Sequence, residues 1–186
     1  MNKITIEKTA LEGLLILKPR LFSDARGFFY ESYNQDAFKE AGIDVPFVQD
    51  NHSRSTRGTL RGLHFQTYPG QAKLVRCTQG TIWDVAVDIR PQSPTFGQYH
   101  AVELSPEEGR MFFIPVGFAH GFLVLSPIAE VQYKCSAVYN ASTEAGIQWN
   151  DMEIGVPWPL MDLMPILSHR DQNAPSFSEI RKTLGR

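Results

Sequence analysis

The segment from Asn51 to Gln66 (NHSRSTRGTLRGLHFQ) sets two histidines and three arginines around Gly58 and Gly62. An imidazole is the side chain best suited to act as a base near neutral pH, and a guanidinium binds carboxylates and phosphates through its planar fork of donors. Taken alone, so charged a stretch reads equally well as a solvated hairpin. Strand alternation sharpens the choice. From Leu60 onward, Leu60, Gly62, His64 and Gln66 fall on one face and Arg61, Leu63 and Phe65 on the other. If Leu63 and Phe65 pack into a layer of a sandwich, His64 and Gln66 face its interior.

A second segment, Gly109 to His120 (GRMFFIPVGFAH), has the spacing G-x5-P-x-G-x2-H of the second cupin motif, a signature of jelly rolls. Its physics is a strand that ends at Pro115 and turns at Gly117, so that His120 is aimed into a barrel. The first cupin motif would add His-x-His and a glutamate as partners for a metal. Here the corresponding residues are His64-Phe65-Gln66, and Lys73 stands where the glutamate is expected. An ammonium beside the donors repels a divalent cation, so no metal is expected. His64 is then available as a base, and Lys73 as the stabiliser of an oxyanion.

The elements that must hold these residues read as β. Short runs rich in Val, Ile, Phe and Tyr alternate with Gly, Pro, Asn and Ser clusters. Ten candidate strands follow, at residues 13–22, 27–33, 47–51, 60–66, 73–78, 81–89, 98–104, 111–115, 121–125 and 129–138. Gln79-Gly80 reads as a tight hairpin turn between two of them. In the stretch Thr81 to Asp88, Ile82, Asp84, Ala86 and Asp88 share one face, which would carry a carboxylate inward. Helical signal is confined to Asn34 to Ala41, where Asn34 can cap, and to Ser176 to Leu184. With 186 residues, 42% of them hydrophobic, folding buries roughly 70% of the unfolded surface. One all-β domain over residues 1–186 is expected: a jelly roll with an N-terminal β extension and short helices.

Eighteen Lys and Arg against twenty Asp and Glu give a net charge of -2 with no basic block, which disfavours nucleic acid as a partner. No apolar run is long enough to span a membrane, and the first ten residues lack the apolar region of a signal peptide. Two cysteines, Cys77 and Cys135, without any short-spaced pattern, suit buried thiols in the cytoplasm.

Several further motifs stand in order along the chain: DARGFFYE from Asp24, FVQDNHS from Phe47, LRGLHFQ from Leu60, KLVR from Lys73, WDVAVDIR from Trp83, SPTFG from Ser93, IPVGFAHGF from Ile114 and Tyr133-Lys134. On these the chain, from about Ile16 to Pro175, resembles the dTDP-4-dehydrorhamnose 3,5-epimerases of bacterial deoxysugar biosynthesis. The resemblance implies a metal-free cupin-type jelly roll without a cofactor, a homodimer, and a dTDP-linked 4-keto-6-deoxy sugar as substrate. By motif position, His64 is similar to the family's base and Asp171 to the carboxylate that orients it. Tyr133 corresponds to the proton donor and Lys73 to the cation at the C4 oxygen. His120 and Asp84 resemble a second histidine and carboxylate pair of the same cavity. Phe22, Arg26, Glu31, Gln49, Asn51 and Arg61 fall on positions that surround the nucleotide, Tyr139 on one that stacks an aromatic ring on thymine, and Glu144 on a further substrate contact. Arg170 stands where the family often has lysine, which keeps a cation for the phosphates.

Read without the resemblance, Asp171 is a surface loop residue, Tyr133 a half-buried strand tyrosine, His120 a core histidine and Lys73 a surface lysine. Inversion beside a ketone needs a base on one face, an acid on the other and a stabilised enolate between them. His64, Tyr133 and Lys73 would supply these. An epimerase that inverts only C3 or only C5 of a related sugar needs the same groups, and the sequence leaves both readings open. A non-catalytic sugar-nucleotide-binding cupin has no need of the three together, and a metal-dependent oxygenase lacks its ligands.

Overall fold

The computed structural model describes residues 4–161 and 163–184. In chain order its elements are β1 (Ile4–Lys8), β2 (Leu15–Pro19), β3 (Phe22–Asp24), β4 (Gly27–Phe29), α1 (Gln35–Glu40), β5 (Gln49–Thr56), β6 (Leu60–Gln66), β7 (Lys73–Gln79), β8 (Ile82–Asp88), β9 (Tyr99–Leu104), β10 (Met111–Ile114), β11 (Phe118–Val124), β12 (Ile128–Cys135), β13 (Glu144–Gly146), α2 (His169–Gln172) and α3 (Phe177–Leu184). Two sheets, ordered β1-β2-β10-β7-β12-β5 and β13-β6-β11-β8-β9, face each other as a jelly roll, and β3 pairs with β4 as a separate hairpin. The N-terminal extension is built into the larger sheet, because β2 pairs with β10 and β1 with β2.

Three apolar clusters hold this arrangement. Val75, Phe112 and Val131 from one sheet meet Ile82, Ala86 and Phe122 from the other and close one end of the interior. The outer face of the smaller sheet, with Leu63, Phe65, Val85 and Val87, packs under Ile147, Trp158, Phe177 and Ile180 of the C-terminal segment. Leu17, Leu74 and Phe113 on the outer face of the larger sheet lie under Phe38 and Ile43 beside α1. Each such aliphatic or phenyl side chain contributes roughly 1.5–3 kcal/mol by leaving water. Both faces of β8 are therefore covered, with Asp84 on the inward face as the alternation requires. Asn34 caps α1 as expected, its side chain accepting the Ala37 N–H.

Several expected boundaries shift. The run 13–22 is two strands, separated at Arg20 and Leu21, and the run 27–33 stops at Phe29. The run 47–51 begins at Gln49 and continues to Thr56, where it pairs with β12 along its whole length. Gln79-Gly80 is not a hairpin turn, since β7 and β8 belong to different sheets. The positive φ of Gly80 (75°) serves a corner between layers, where a Cβ would sit 2.1 Å from the Ile128 carbonyl oxygen and 2.3 Å from the Ser126 hydroxyl. Glycine marks a chain reversal, and its type alone does not say whether the next strand joins the same sheet. The charged segment from Asn51 likewise crosses between sheets as β5 and β6.

Candidate active site

At the end of the sandwich left open by the apolar cluster, the two sheets enclose a cavity of about 670 Å3. His64 and His120 line it from β6 and β11, and Lys73 and Tyr133 from β7 and β12 of the opposing sheet. Gln49, Asn51, Arg61, Tyr139, Glu144, Arg170 and Asp171 complete the wall among the expected residues.

Arg61 is inside only because β6 departs from simple alternation. Phe122 pairs with Arg61 and His120 with His64, so two steps on β11 are matched by three on β6. That extra residue is a β-bulge, which re-aims the side chains on either side of it. Leu60, Leu63 and Phe65 pack outward under the C-terminal segment, while Arg61 and His64 both face the cavity. The expectation that Arg61 shares a face with Leu63 and Phe65 is corrected by this bulge.

His64 Nε2 lies 2.5 Å from Asp171 Oδ1, although 107 residues separate them in sequence. Asp171 is buried, at 3% exposure, within the one-turn helix α2, whose cap Ser168 accepts the Asp171 N–H. The surface-loop reading of Asp171 is thus overturned: the chain after Gly146 returns across the cavity mouth and delivers it. Burial pushes the Asp171 carboxyl up, but hydrogen bonding and charge from His64, the Ser168 bond and the Arg170 charge outweigh this and hold it below the ordinary carboxylate range. The Asp171 carboxylate orients the His64 ring through this contact. Arg170 Nη2 is 2.7 Å from the same Nε2, and its other arm pairs with Glu144, which also accepts the Tyr139 hydroxyl at 2.8 Å.

Across the cavity, Tyr133 packs partly against the apolar cluster, directly opposite Asn51 on β5. Burial raises its phenol, so the proton is retained at neutral pH. Lys73 pairs in register with Cys135 on β12 and is buried, at 9% exposure, which corrects its reading as a surface residue. Desolvation lowers its ammonium, opposed by the charges of Cys135, Asp84 and Glu144. Asp84 and His120 form the second pair, with Oδ1 to Nε2 at 2.8 Å, and Asp84 sits behind His120 without lining the cavity. Gln49 donates to Asn51 at 3.0 Å and accepts the Tyr139 N–H at 2.8 Å, which fixes the rim.

Phe22, Arg26 and Glu31 are not brought together with the rest within one chain. Phe22 and Arg26 belong to the β3–β4 hairpin and line a separate hollow with Phe28 and Phe29, and Arg26 pairs with Asp24 at 2.5 Å. Glu31 follows that hairpin and accepts the Asn34 amide at 3.3 Å. Conversely, Ser53, Gln71, Phe122 and Ser168 line the cavity without having been singled out. Ser53 was legible, since it continues the inward row of Gln49 and Asn51, and its buried hydroxyl has no hydrogen-bond partner. Among the described residues, no group of three or more His, Cys, Asp and Glu side chains gathers as a metal site would require.

Residues 8–179 match the family model described as dTDP-4-dehydrorhamnose 3,5-epimerase. The protein of that name from Salmonella typhimurium is 55% identical over 174 residues, covering 92% of this chain and 94% of its own. The crystal structure of the Legionella pneumophila dTDP-6-deoxy-D-glucose-3,5-epimerase, in complex with dTDP-4-keto-L-rhamnose, aligns with a TM-score of 0.94 at 46% identity, over 97% of this chain and 96% of that one. ChmJ, a 3'-monoepimerase from Streptomyces bikiniensis in complex with dTDP-quinovose, aligns with a TM-score of 0.89 at 37% identity, over 95% and 90%. An imidazole and carboxylate pair facing a phenol and an ammonium across one jelly-roll cavity thus comes with similarity along nearly the whole sequence, and the chain belongs to the dTDP-4-dehydrorhamnose 3,5-epimerase family.

Proposed function

We propose that this protein inverts C3 and C5 of dTDP-4-dehydro-6-deoxy-D-glucose, giving dTDP-4-dehydro-L-rhamnose. The observation that carries the reading is the placement of His64 and Tyr133 on opposing sheets of one cavity, with Lys73 beside them. The C4 ketone acidifies the protons on both neighbouring carbons. The His64 imidazole takes one of them, and the charge that develops on the C4 oxygen is met by the Lys73 ammonium. Tyr133 then gives its proton to the same carbon from the opposite face, which inverts it. Asp171 orients the His64 ring and supports the imidazolium as it forms. Repetition at the second carbon uses the same groups once the ring has turned, His64 has released its proton to solvent and Tyr133 has regained one.

Arg61 and Arg170 suit the diphosphate, because a guanidinium bonds two oxygens at once. Tyr139, half exposed at the rim, offers a face to the thymine. We read the β3–β4 hairpin as reaching the cavity of a second copy in a homodimer. Its phenyl groups support this: Phe22, Phe28 and Phe29 are 52%, 52% and 70% exposed on the single chain. A cytoplasmic setting accords with two buried free thiols, Cys77 and Cys135, and no described helix is long and apolar enough to cross a membrane.

The test of activity is to incubate the keto sugar with the protein, reduce the ketone with borohydride and identify the sugars released by hydrolysis. Double inversion yields 6-deoxy sugars of the L series. Recovery of D-series sugars alone overturns the 3,5-epimerase. For the dimer, subunits carrying His64→Ala are mixed with subunits carrying Arg26→Ala after unfolding and refolding together. Activity above that of either variant alone supports a shared site, and its absence counts against one.

A further inference from the structure

The mechanism above leaves one buried pair of titratable groups without a task. Asp84 is fully buried, His120 is 5% exposed, and a 2.8 Å hydrogen bond joins Oδ1 to Nε2. The second carboxylate oxygen of Asp84, also buried, has no hydrogen-bond partner among the described residues. A buried carboxylate oxygen without a protein donor is costly, and a proton, a water or a nearby positive charge relieves it. The positive charge is present. The Lys73 ammonium makes no side-chain hydrogen bond or ion pair among the described residues, and Lys73 shares the inward row of β7 with Val75, which packs against Ile82 and Ala86, the inward neighbours of Asp84 on β8.

The strand register makes this arrangement specific. His120 pairs directly with His64 on one side and with Ala86 of β8 on the other, so its ring stands between the proposed base and the strand that carries Asp84. The cupin-type turn that aims a histidine inward is kept, but its imidazole is bound to a carboxylate.

We propose that Asp84 is the counter-charge of Lys73, with His120 as the partner that orients its carboxyl group, so that the two act as positioning residues for the oxyanion-stabilising ammonium. This assignment rests on the epimerase reading for its catalytic consequence, but not for its electrostatic one. An ammonium taken out of water is disfavoured by desolvation, and a carboxylate in the same low-dielectric interior restores part of the loss. Cys135 pairs in register with Lys73 from β12, Glu144 on β13 and Arg170 on α2 line the same cavity, and the cavity's other carboxylate, Asp171, is paired with His64. The Cys135 thiol is pushed up to about 11 by burial and is uncharged at neutral pH. Glu144 is already paired with Arg170, so these two largely offset each other at Lys73. Asp84 is then the charge left to balance the ammonium.

Asp84→Asn keeps the shape and an oxygen for His120 but removes the charge. Loss of a nearby negative charge makes the ammonium less favourable, so Lys73 gives up its proton at lower pH. The alkaline limb of the kcat profile is expected to move to lower pH, with kcat reduced at least tenfold and KM within threefold of wild type. A purely structural role would lower the melting temperature and leave the limb where it is.

An arm that needs no turnover follows Lys73 by 15N NMR in the unliganded protein. Its titration should fall to lower pH in Asp84→Asn, and in the wild type the Asp84 carboxyl 13C signal should move as Lys73 titrates. Should the variant fail to fold, the wild-type measurement decides alone. An Asp84 signal indifferent to Lys73 overturns the pairing. An inactive wild type that still shows the coupled titration contradicts the epimerase reading and leaves the pairing standing.

Discussion

Gly62 on β6 and Gly121 on β11 approach so closely that a Cβ added to Gly62 would lie 2.6 Å from the Gly121 Cα and 2.7 Å from the His120 carbonyl oxygen. Gly62 also holds a positive φ of 119°, which other residues rarely adopt. This contact lies inside the bulge that turns both Arg61 and His64 into the cavity.

Gly62→Ala is therefore expected to destabilise the protein by about 2 kcal/mol or more, since backbone must move on both strands. It should also lower activity beyond the loss of folded protein, because the bulge aims the base. Urea unfolding and steady-state kinetics on the folded fraction check the two effects separately. A variant with wild-type stability and activity would show that the bulge does not depend on the missing side chain.

Tyr133→Phe should separate removal of the proton from inversion. With His64 and Lys73 in place, the α proton still leaves and can return from the same face, so solvent deuterium enters the starting epimer. Inversion should fall by roughly 10²–10⁴, the range for loss of a positioned acid. NMR of the recovered sugar reads both. Equal loss of exchange and inversion would mean that Tyr133 is needed to form the enolate.

How much of this was legible in the sequence differs from residue to residue. The strands, the capped helix after Asn34 and the inward Asp84 follow from period and cap chemistry, which act over a few residues. Arg61 was placed on the wrong face by alternation because a bulge is set by the partner strand, here by the Gly62–Gly121 approach. Asp171 carries no local mark of burial, since what buries it is a C-terminal segment folding back over β6. The resemblance puts it beside His64, and in the structure its Oδ1 lies 2.5 Å from His64 Nε2. Phe22, Arg26 and Glu31 lie apart from the cavity of their own chain, on or just after a hairpin whose position relative to that cavity no local pattern specifies.

Asp88 provides a test of stability away from the cavity. Burial alone would raise this carboxyl. Hydrogen bonds from Arg90, Ser93 and Thr95 more than offset that and hold it down to about 2. A carboxyl lowered on folding stabilises the protein above its unfolded value, near 3.9, and the contribution is lost as pH falls from about 4 to about 2. The size is roughly 2–3 kcal/mol for a shift of about two units. Asp88→Asn should lose this amount at neutral pH and show a flatter acid limb of stability between pH 4 and 2 in urea titrations. An unchanged acid limb would mean that the network around Asp88 does not depend on its charge.

The central claim is tested most directly by incubating the protein with dTDP-4-dehydro-6-deoxy-D-glucose in deuterated water and counting deuterons at C3 and C5 by NMR, with His64→Ala as control. Deuterium at both carbons, absent in the variant, is the predicted result. Deuterium at one carbon, at neither, or at both in His64→Ala would contradict it.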